Sequence, residues 1–394
     1  MRARVLAALD RAWNGHRKPV VAAGGIAAAL VIVAGVVVFA APATSGPGGT
    51  PSIIAAATPT PSPSPSPTAT ATPSDTPAPT ESLGPTAIPD GWVYSDLDGV
   101  AAPADHAHRL PLAIMIDDNK NARPQSGFTS ASIVYQAMID DNSDRYMMVF
   151  QEGDATDIGP VRSSRPYFVY WAAEYRALYG HFGGDAEALR KVIPAMSQYI
   201  YNEDDLTGAG ACPYHRITTR RSPYNAYTNT SELIRCAAKR KYPATYQDVP
   251  VRTFVDDTPA ALRPAIQTVK IPYLAETISY RYDPSIDAYL RMVNGQLQTD
   301  PANNQQVIAR NIVVMFQPYA IVPSLDKLRP RVTNVGTGKA IVFEEGRAIT
   351  GTWKKASNPA LTLLYDSAGN QIPLVRGEIF IQSVPIGTKV SYSS

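Results

Sequence analysis

The stretch Leu110–Asp117, which reads LPLAIMID, is a short apolar run closed by acidic residues and Asn. An apolar run of this length between polar boundaries predicts a buried β-strand. Beyond a polar loop at Asn119–Gly127, two further strands are predicted at Ala131–Ile139 and Arg145–Gln151. The folded part of the chain is therefore expected to begin with a sheet.

Helices are expected among these strands. Ser163-Ser164-Arg165-Pro166 predicts a helix that reaches about Tyr175, because serine is a favoured N-cap and proline fits the first turn. The other elements predicted here are a strand at Ala177–Phe182, a helix near Ala186–Val192 after Gly183-Gly184-Asp185, and a helix that is capped by Thr230 or Ser231 and ends near Lys241. This part of the chain thus mixes strands and helices.

From Val251 onward the pattern changes to short strand-like runs separated by turn signals such as Asn294-Gly295 and Glu345-Gly346. Such runs with regular turn signals predict hairpins and a mostly β region. The predicted strands are Thr277–Tyr282, Tyr289–Val293, Asn311–Phe316, Lys339–Phe343, Arg347–Trp353, Leu361–Tyr365 and Glu378–Val384.

The N-terminus contains an apolar segment, Val20–Ala41, that has no charged residue and is long enough to cross a bilayer as a helix. Five basic residues precede it against Asp10, so the N-terminus is expected in the cytoplasm and the rest outside. The alternative is a cleaved signal peptide, for which Ala41-Pro42-Ala43 offers a cleavage site, although the apolar run is longer than such signals usually have.

The segment that follows is rich in Pro, Ser and Thr and includes PTPSPSPSP at Pro59–Pro67. This composition forms no core and favours extended chain, so it predicts a disordered stalk. The chain therefore divides into a cytoplasmic tail (1–18), a single transmembrane helix (19–41), a stalk (42–90), a mixed αβ domain (91–249) and a mostly β domain (250–394). The expected fold class is α+β.

Charge and cysteine content exclude several classes of protein. The net charge is +2, and the first 18 residues alone carry +4, so the remainder carries −2. A nearly neutral exterior argues against nucleic-acid binding, which needs a basic footprint. Cys212 and Cys236 lack zinc-site spacing, but outside the cytoplasm they are candidates for a disulfide; two free thiols are the alternative.

Several strings, in order over about residues 105–390, resemble the YerB-like family of bacterial surface lipoproteins. The strings are Pro111–Asp117, Ala122–Gly127, Ile158–Phe168, Tyr280–Pro284, Gly336–Ala340 and Gly351–Lys355. The resemblance implies an extracytoplasmic αβ protein in two parts and implies no established reaction.

This chain departs from the family pattern at informative positions. It has a predicted transmembrane helix where members usually carry a lipobox cysteine. A Glu common in the second strand is Gln136 here, a Gly-Gly after it is Asp141-Asn142, and a His common before Asn225 is Tyr224. Gln cannot transfer protons as a carboxylate does, and Tyr replaces His poorly near neutral pH, so a catalytic scheme that needs these positions is disfavoured.

The strongest candidate for binding is an anion site. It combines forked arginine donors with two predicted helix starts, where backbone N–H groups favour negative charge. Its candidate residues are Arg123, Arg145, Arg162, Ser163, Ser164, Arg165, His181, Gly183 and Gly184. The alternative is that the arginines pair with Asp117, Asp118 or Glu174 and that the glycines serve a tight turn.

Catalytic and metal sites have weaker support. Ser163 or Ser164 with His181 and an Asp would supply the residue types of a hydrolase triad, but no Gly-x-Ser-x-Gly turn is present. Asp117 and Asp118 are candidates for a carboxylate site for glycan or metal. His106 and His108 form a His-x-His pair that suits a metal on a strand. No metal site and no cofactor is assigned.

The function that best fits the sequence is a plasma-membrane protein whose extracytoplasmic part binds an anionic cell-wall polymer or an envelope protein. One alternative is a hydrolase or transferase that acts on wall glycan or phosphate esters. A raised carboxyl pKa in a closed crevice would favour this enzyme, whereas a shallow cleft lined by Arg and Tyr would favour the binding protein. A purely structural or scaffolding role is the third possibility.

Overall fold

The computed structural model describes residues 88–140, 143–206, 214–246, 251–264 and 268–393. The predicted tail and transmembrane helix, and the stalk up to residue 87, lie outside these ranges. Within them, no helix combines the length and the apolar character that crossing a membrane requires.

The described residues form mainly strands, numbered here in chain order. In the first half these are β1 (Trp92–Tyr94), β2 (Ala101–Pro103), β3 (Leu112–Asp117), β4 (Ile133–Met138), β5 (Asp144–Phe150), β6 (Leu178–His181), β7 (Tyr201–Asp204), β8 (His215–Arg216), β9 (Ala226–Tyr227) and β10 (Phe254–Val255). In the second half they are β11 (Thr268–Pro272), β12 (Thr277–Asp283), β13 (Ala288–Val293), β14 (Gln296–Leu297), β15 (Thr299–Asp300), β16 (Gln305–Gln306), β17 (Ile308–Ala309), β18 (Asn311–Gln317), β19 (Tyr319–Pro323), β20 (Leu328–Val332), β21 (Gly336–Glu344), β22 (Arg347–Lys355), β23 (Leu363–Asp366), β24 (Leu374–Val375), β25 (Ile379–Pro385) and β26 (Ser391–Ser393).

The helices are short. They are α1 (Ala104–Ala107), α2 (Pro166–Ala173), α3 (Ile193–Ala195) and α4 (Thr230–Lys239), with a π-helical turn at Ala188–Val192 and 3₁₀ turns at Lys120–Ala122, Phe128–Ser130 and Ala260–Leu262. The prediction of a mixed αβ first domain is therefore correct only in part, since the described region is mostly β throughout.

A mixed sheet of ten strands forms the centre of the molecule, in the order β23-β22-β21-β18-β25-β4-β5-β3-β6-β7. Strands from both predicted domains join in it, because β25 lies between β18 and β4 and pairs in parallel with each. The strands β3, β4 and β5 are buried along their whole length. Their continuous apolar runs are typical of strands that are covered on both faces.

The two faces of this sheet carry separate apolar cores. Along β3, Ala113 and Met115 point to one core, which helix α2 covers with Tyr167, Phe168 and Trp171. The alternate residues Ile114 and Ile116 point to the other core, where the second sheet and helix α4 pack. The alternation follows from the two-residue period of a strand.

The second sheet runs in the order β14-β13-β12-β11-β26, with β17 also pairing with β13. Two of the predicted turns close tight hairpins: Asn294-Gly295 joins β13 to β14, and Glu345-Gly346 joins β21 to β22. All four turn residues have positive φ angles, as the two central residues of a type I′ hairpin turn require.

The helix starts differ from those predicted. Helix α2 begins at Pro166 after Arg165, and no side chain caps it, so Ser163 and Ser164 are not its N-cap. Helix α4 is capped by Asn229, whose side chain accepts a hydrogen bond from the Glu232 N–H, rather than by Thr230 or Ser231. Asparagine caps helices as well as serine does, so Asn229, one residue before Thr230, is an equally good candidate for the N-cap.

Candidate functional site

Asp117 is the last residue of β3, Asp118 follows it, and the two side chains point to different surroundings. Asp117 lies 2.9 Å from Arg162 Nε and 3.5 Å from Arg145 Nη2. Asp118 Oδ1 accepts hydrogen bonds from Arg123 Nη2 and Gln125 Nε2, both at 2.8 Å. The two adjacent carboxylates therefore do not form one site.

Asp118 instead belongs to a buried cluster with Asp144 and Glu276, where one carboxylate oxygen from each residue lies within 4.8 Å of the others. Asp144 begins β5, and Glu276 lies in the turn between β11 and β12. Burial and the nearby Glu276 raise the pKa of Asp118 to about 7, although Arg123 opposes the shift. Burial also raises the pKa of Asp144 well above its usual value.

Polar side chains surround this cluster. Gln136 on β4 donates from Nε2 to Glu276 Oε1 at 3.2 Å, and its Oε1 accepts from Arg291 Nη2 at 2.8 Å. Arg291 is fully buried and also donates to the hydroxyls of Tyr146 and Tyr280. The cluster thus lies between the two sheets, in a network that spans the predicted domain boundary.

The arginines predicted to bind an anion all have carboxylate partners. Arg165 Nε and Nη2 donate to the two oxygens of Asp140 at 2.7 and 3.0 Å, and Arg145 lies beside Asp117. Both side chains are buried, whereas those of Arg123 and Arg162 are 28% and 26% exposed. Only the latter two can therefore reach a ligand at the surface.

The two predicted serines are held by local contacts. Ser164 is buried, and its Oγ lies 2.7 Å from the Tyr179 hydroxyl. The carbonyl of Ser163 accepts a hydrogen bond from Arg145 Nη1 at 2.8 Å. The Ser164 hydroxyl is directed to Tyr179, and the His181 ring to Gly183 and Asn202, so these two residues do not form the nucleophile–base pair of a hydrolase triad.

His181 is the last residue of β6, and Gly183 and Gly184 lie in the turn that follows it. The His181 ring is fully buried between the Gly183 carbonyl at 2.8 Å and Asn202 Oδ1 at 2.9 Å. Gly183 has a φ of 67°, and its N–H donates to Asp204 Oδ1 at 2.8 Å. The helix predicted after it is a π-helical turn at Ala188–Val192. These contacts match the alternative in which the glycines serve a tight turn.

A group of basic residues around the loop after β3 forms a surface that the sequence patterns did not predict. We call Arg123, Arg162, Arg220, Arg221 and Tyr224 the basic face. Arg220 Nη2 donates to the Pro124 carbonyl at 2.6 Å, and its Nη1 donates to the Ala122 carbonyl. Arg162 lies over the Tyr224 ring at 5.6 Å. Its sequence signal was the pair Arg220-Arg221 just before Tyr224.

An acidic crevice of about 240 Å³ lies elsewhere, with Asp98, Glu152 and Glu378 in its wall. Burial, reinforced by Glu152, raises the pKa of Asp98 well above its usual value. Burial, reinforced by Asp98, does the same for Glu378, whose Oε1 has no hydrogen-bond partner among the described residues. Neighbouring buried carboxyls of this kind keep a proton to a higher pH than an exposed carboxyl does.

The His-x-His pair is not arranged for a metal. His106 lies in the short helix α1, and His108 follows it, so the two residues are not on one strand. The His108 Nδ1 atom lies 2.9 Å from Asp96 Oδ2. Residues two apart on a helix do not face each other, which removes the basis for that site.

The predicted cysteine pair is only partly visible. Cys236 is buried in helix α4 and is disulfide-bonded. Cys212 lies outside the described residues, so the pairing stays a prediction.

Comparison with known proteins identifies the family. Two family models match, described as the N-terminal domain of a protein of unknown function, DUF3048, over residues 97–243 and the C-terminal domain of DUF3048 over residues 269–381. This chain belongs to the YerB-like DUF3048 family. A Bacillus subtilis relative named "Putative lipoprotein YerB" is 26% identical over 307 residues, which are 76% of this chain and 89% of the relative.

The crystal structure of Bacillus subtilis YerB has the same fold as this YerB-like protein. The TM-score is 0.67 at 24% sequence identity, with 77% of this chain and 100% of the crystallised chain covered. Gln136 on β4 lies beside the buried carboxylate cluster. Here the Gln is one of the hydrogen-bond donors to the buried carboxylate cluster, where a Glu would add a further negative charge.

Proposed function

We propose that this YerB-like protein is anchored in the plasma membrane by its N-terminal apolar segment and binds an anionic cell-envelope polymer with the basic face. The location draws support from the charge asymmetry around Val20–Ala41 and from the relative that carries a lipoprotein name. Binding draws support from the arginines at the surface.

The observation that carries the proposal is the set of contacts that the Arg220 side chain makes. Its guanidinium donates to two backbone carbonyls, which orient it, and it forms no ion pair within the described residues. Asp157 acts on it only as a nearby charge. Arg221 beside it is exposed. An oriented guanidinium whose charge is not neutralised is suited to bind phosphate or carboxylate.

The two partly exposed arginines extend this charge along the surface. The carboxylates that pair with Arg123 and Arg162 are almost fully buried, so their negative charge lies beneath the surface. Tyr224 adds an aromatic ring beside Arg162. A repeating anionic polymer can therefore contact several cations at once, and affinity is expected to fall as the salt concentration rises.

The test uses the double variant Arg220→Ala/Arg221→Ala in the full chain, purified in mild detergent, with polyglycerol phosphate as the probe. A charge-assisted hydrogen bond contributes about 1.5–3 kcal/mol, so affinity should fall at least about tenfold. The matched control is Arg235→Ala/Lys239→Ala on helix α4, which removes the same charge from exposed positions elsewhere.

The control should bind as the wild type does, and circular dichroism should show the same fold for all three proteins. Equal losses in both double variants would mean that only net charge matters. No loss in the first variant would exclude the basic face and would favour a scaffolding role.

A second candidate function is hydrolysis of wall glycan in the acidic crevice. The observation that favours it is the set of raised carboxyl pKa values at Asp98 and Glu378 beside an open cavity, since paired carboxyls supply the acid and the base of glycosidases. Incubation with purified cell wall separates the two functions. Release of reducing ends that is lost in Glu378→Gln would favour the enzyme.

A further inference from the structure

We propose that Asp118, Asp144 and Glu276 form a binding site for one divalent cation that prefers oxygen ligands, such as Mg²⁺, Mn²⁺ or Ca²⁺. This site is separate from the basic face, and the proposal does not depend on anion binding.

The spacing of the three carboxylates suits such an ion. One oxygen from each residue lies within 4.8 Å of the other two. Ligands on opposite sides of an ion are separated by twice the metal–oxygen distance, about 4.2 Å for Mg²⁺ and about 4.8 Å for Ca²⁺, and neighbouring ligands are closer. All three oxygens are therefore close enough to be drawn onto one ion by small side-chain movements.

Asp144 provides independent support. Its side chain is 2% exposed, and neither of its oxygens has a hydrogen-bond partner among the described residues. A buried carboxylate without a partner is costly and rare in folded proteins. The free carboxylate faces Asp118 and Glu276, and a cation between them would supply the partner that Asp144 lacks.

Asp118 and Glu276 each keep one oxygen that Arg123 does not hold, and a carboxylate oxygen can accept a hydrogen bond and also bind an ion. Arg123 Nη2 donates to Asp118 Oδ1 and to Glu276 Oε2. The other oxygens, Asp118 Oδ2 and Glu276 Oε1, converge on the Gln136 Nε2 group at 3.5 and 3.2 Å. These oxygens belong to the same two residues that face Asp144.

Charge limits the site to a single ion. Three carboxylates against the guanidinium groups of Arg123 and Arg291 leave one net negative charge when all are ionised. The Gln136 side-chain oxygen is already held by Arg291, so water is expected to complete the coordination shell. The donor set consists only of oxygen atoms, which excludes the softer metals that need thiolate or imidazole.

The experiment titrates the full chain, in mild detergent after removal of metals with a chelator, with Mn²⁺ alone. Isothermal calorimetry and the electron paramagnetic resonance signal of free Mn²⁺ give the affinity. Asp144→Asn should weaken Mn²⁺ binding at least tenfold, and Mn²⁺ should raise the melting temperature of the wild type but not of the variant. Competition with Mg²⁺ and with Ca²⁺ identifies the preferred ion.

The matched control is Asp257→Asn in the second group of three acidic residues, Asp257, Asp287 and Glu345. There, Arg263 and Arg310 already pair with Asp257 and Asp287, so Mn²⁺ affinity should not change. Glu276→Gln serves if Asp144→Asn does not fold. Absence of binding of all three ions to the wild type, or full affinity in either cluster variant, would overturn the proposal.

Discussion

Glu344 is a buried carboxyl group at the end of β21, and one of its oxygens has no hydrogen-bond partner among the described residues. Burial raises its pKa from 4.5 to about 7, and Glu345 adds to the shift. A carboxyl group whose pKa is raised on folding favours the folded state fully below the unfolded pKa. That contribution is lost as the pH rises through the folded pKa.

Glu344→Gln should therefore stabilise the protein at high pH and change little at low pH. The shift from 4.5 to about 7 corresponds to on the order of 3 kcal/mol in the free energy of unfolding at pH 8, and to almost nothing near pH 4.5. Urea unfolding of both proteins across this range measures the difference. A difference that stays constant with pH would contradict the assignment of the raised pKa to Glu344.

At the residue scale, the sequence predicted residue types better than their partners. It marked Asp118 as a candidate metal or glycan ligand, but not Asp144 or Glu276. Asp144 comes beside Asp118 through the pairing of β3 with β5, and Glu276 joins them when the second sheet packs. Arg165 pairs with Asp140, a partner that no local pattern indicated. Ion pairs between segments that are distant in the chain depend on how the strands and helices pack, which the sequence did not predict.

At the scale of elements, strands and tight turns were the most predictable features. The predicted strand Asn311–Phe316 and the observed strand β18 differ by only one residue. The agreement is close because both faces of that strand are buried and its apolar run is unbroken. Strand β19 was missed because most of its residues are exposed, and β20 because two arginines and a proline interrupt its apolar pattern. The turn at Glu345-Gly346 was recognised, and its glycine also has a packing role.

Gly346→Ala should destabilise the protein more than Gly295→Ala, its matched control in the other hairpin. Both glycines have positive φ angles, so each alanine incurs strain of about 1–2 kcal/mol. Only at Gly346 would the added Cβ lie 2.8 Å from the ring of Tyr282, which is held by a hydrogen bond to Asp287. This overlap adds about 1–3 kcal/mol.

Urea unfolding of the two variants beside the wild type measures both losses. Equal losses would show that backbone strain alone matters and that the Tyr282 ring moves aside at no cost.

At the scale of the whole molecule, the predicted boundary at 249/250 crosses one continuous sheet. β25 forms seven residue pairs with β18 and five with β4, which comes from the other side of that boundary. A buried ion pair also spans it, since Lys355 Nζ lies 2.6 Å from Glu174 Oε1 and both side chains are fully buried. The sequence predicted the strands of each part but contained no signal for how they interleave.

The two parts should therefore unfold together. Trp171 in helix α2 and Trp353 in β22 report on the two sides of the boundary, and both are buried. With Trp13 and Trp92 changed to Phe, variants that keep one of these tryptophans should each show a fluorescence midpoint in urea that coincides with the far-ultraviolet circular dichroism midpoint.

Glu174→Gln sharpens this test, because it removes one partner of the buried pair and should cost about 3–5 kcal/mol. If the sheet unfolds as one unit, the midpoint measured through Trp353 must fall as far as the midpoint measured through Trp171, although Glu174 lies on the Trp171 side. Lys355→Met should likewise lower both midpoints together. A fall at only one tryptophan would show two independently unfolding parts, despite the strands that they share.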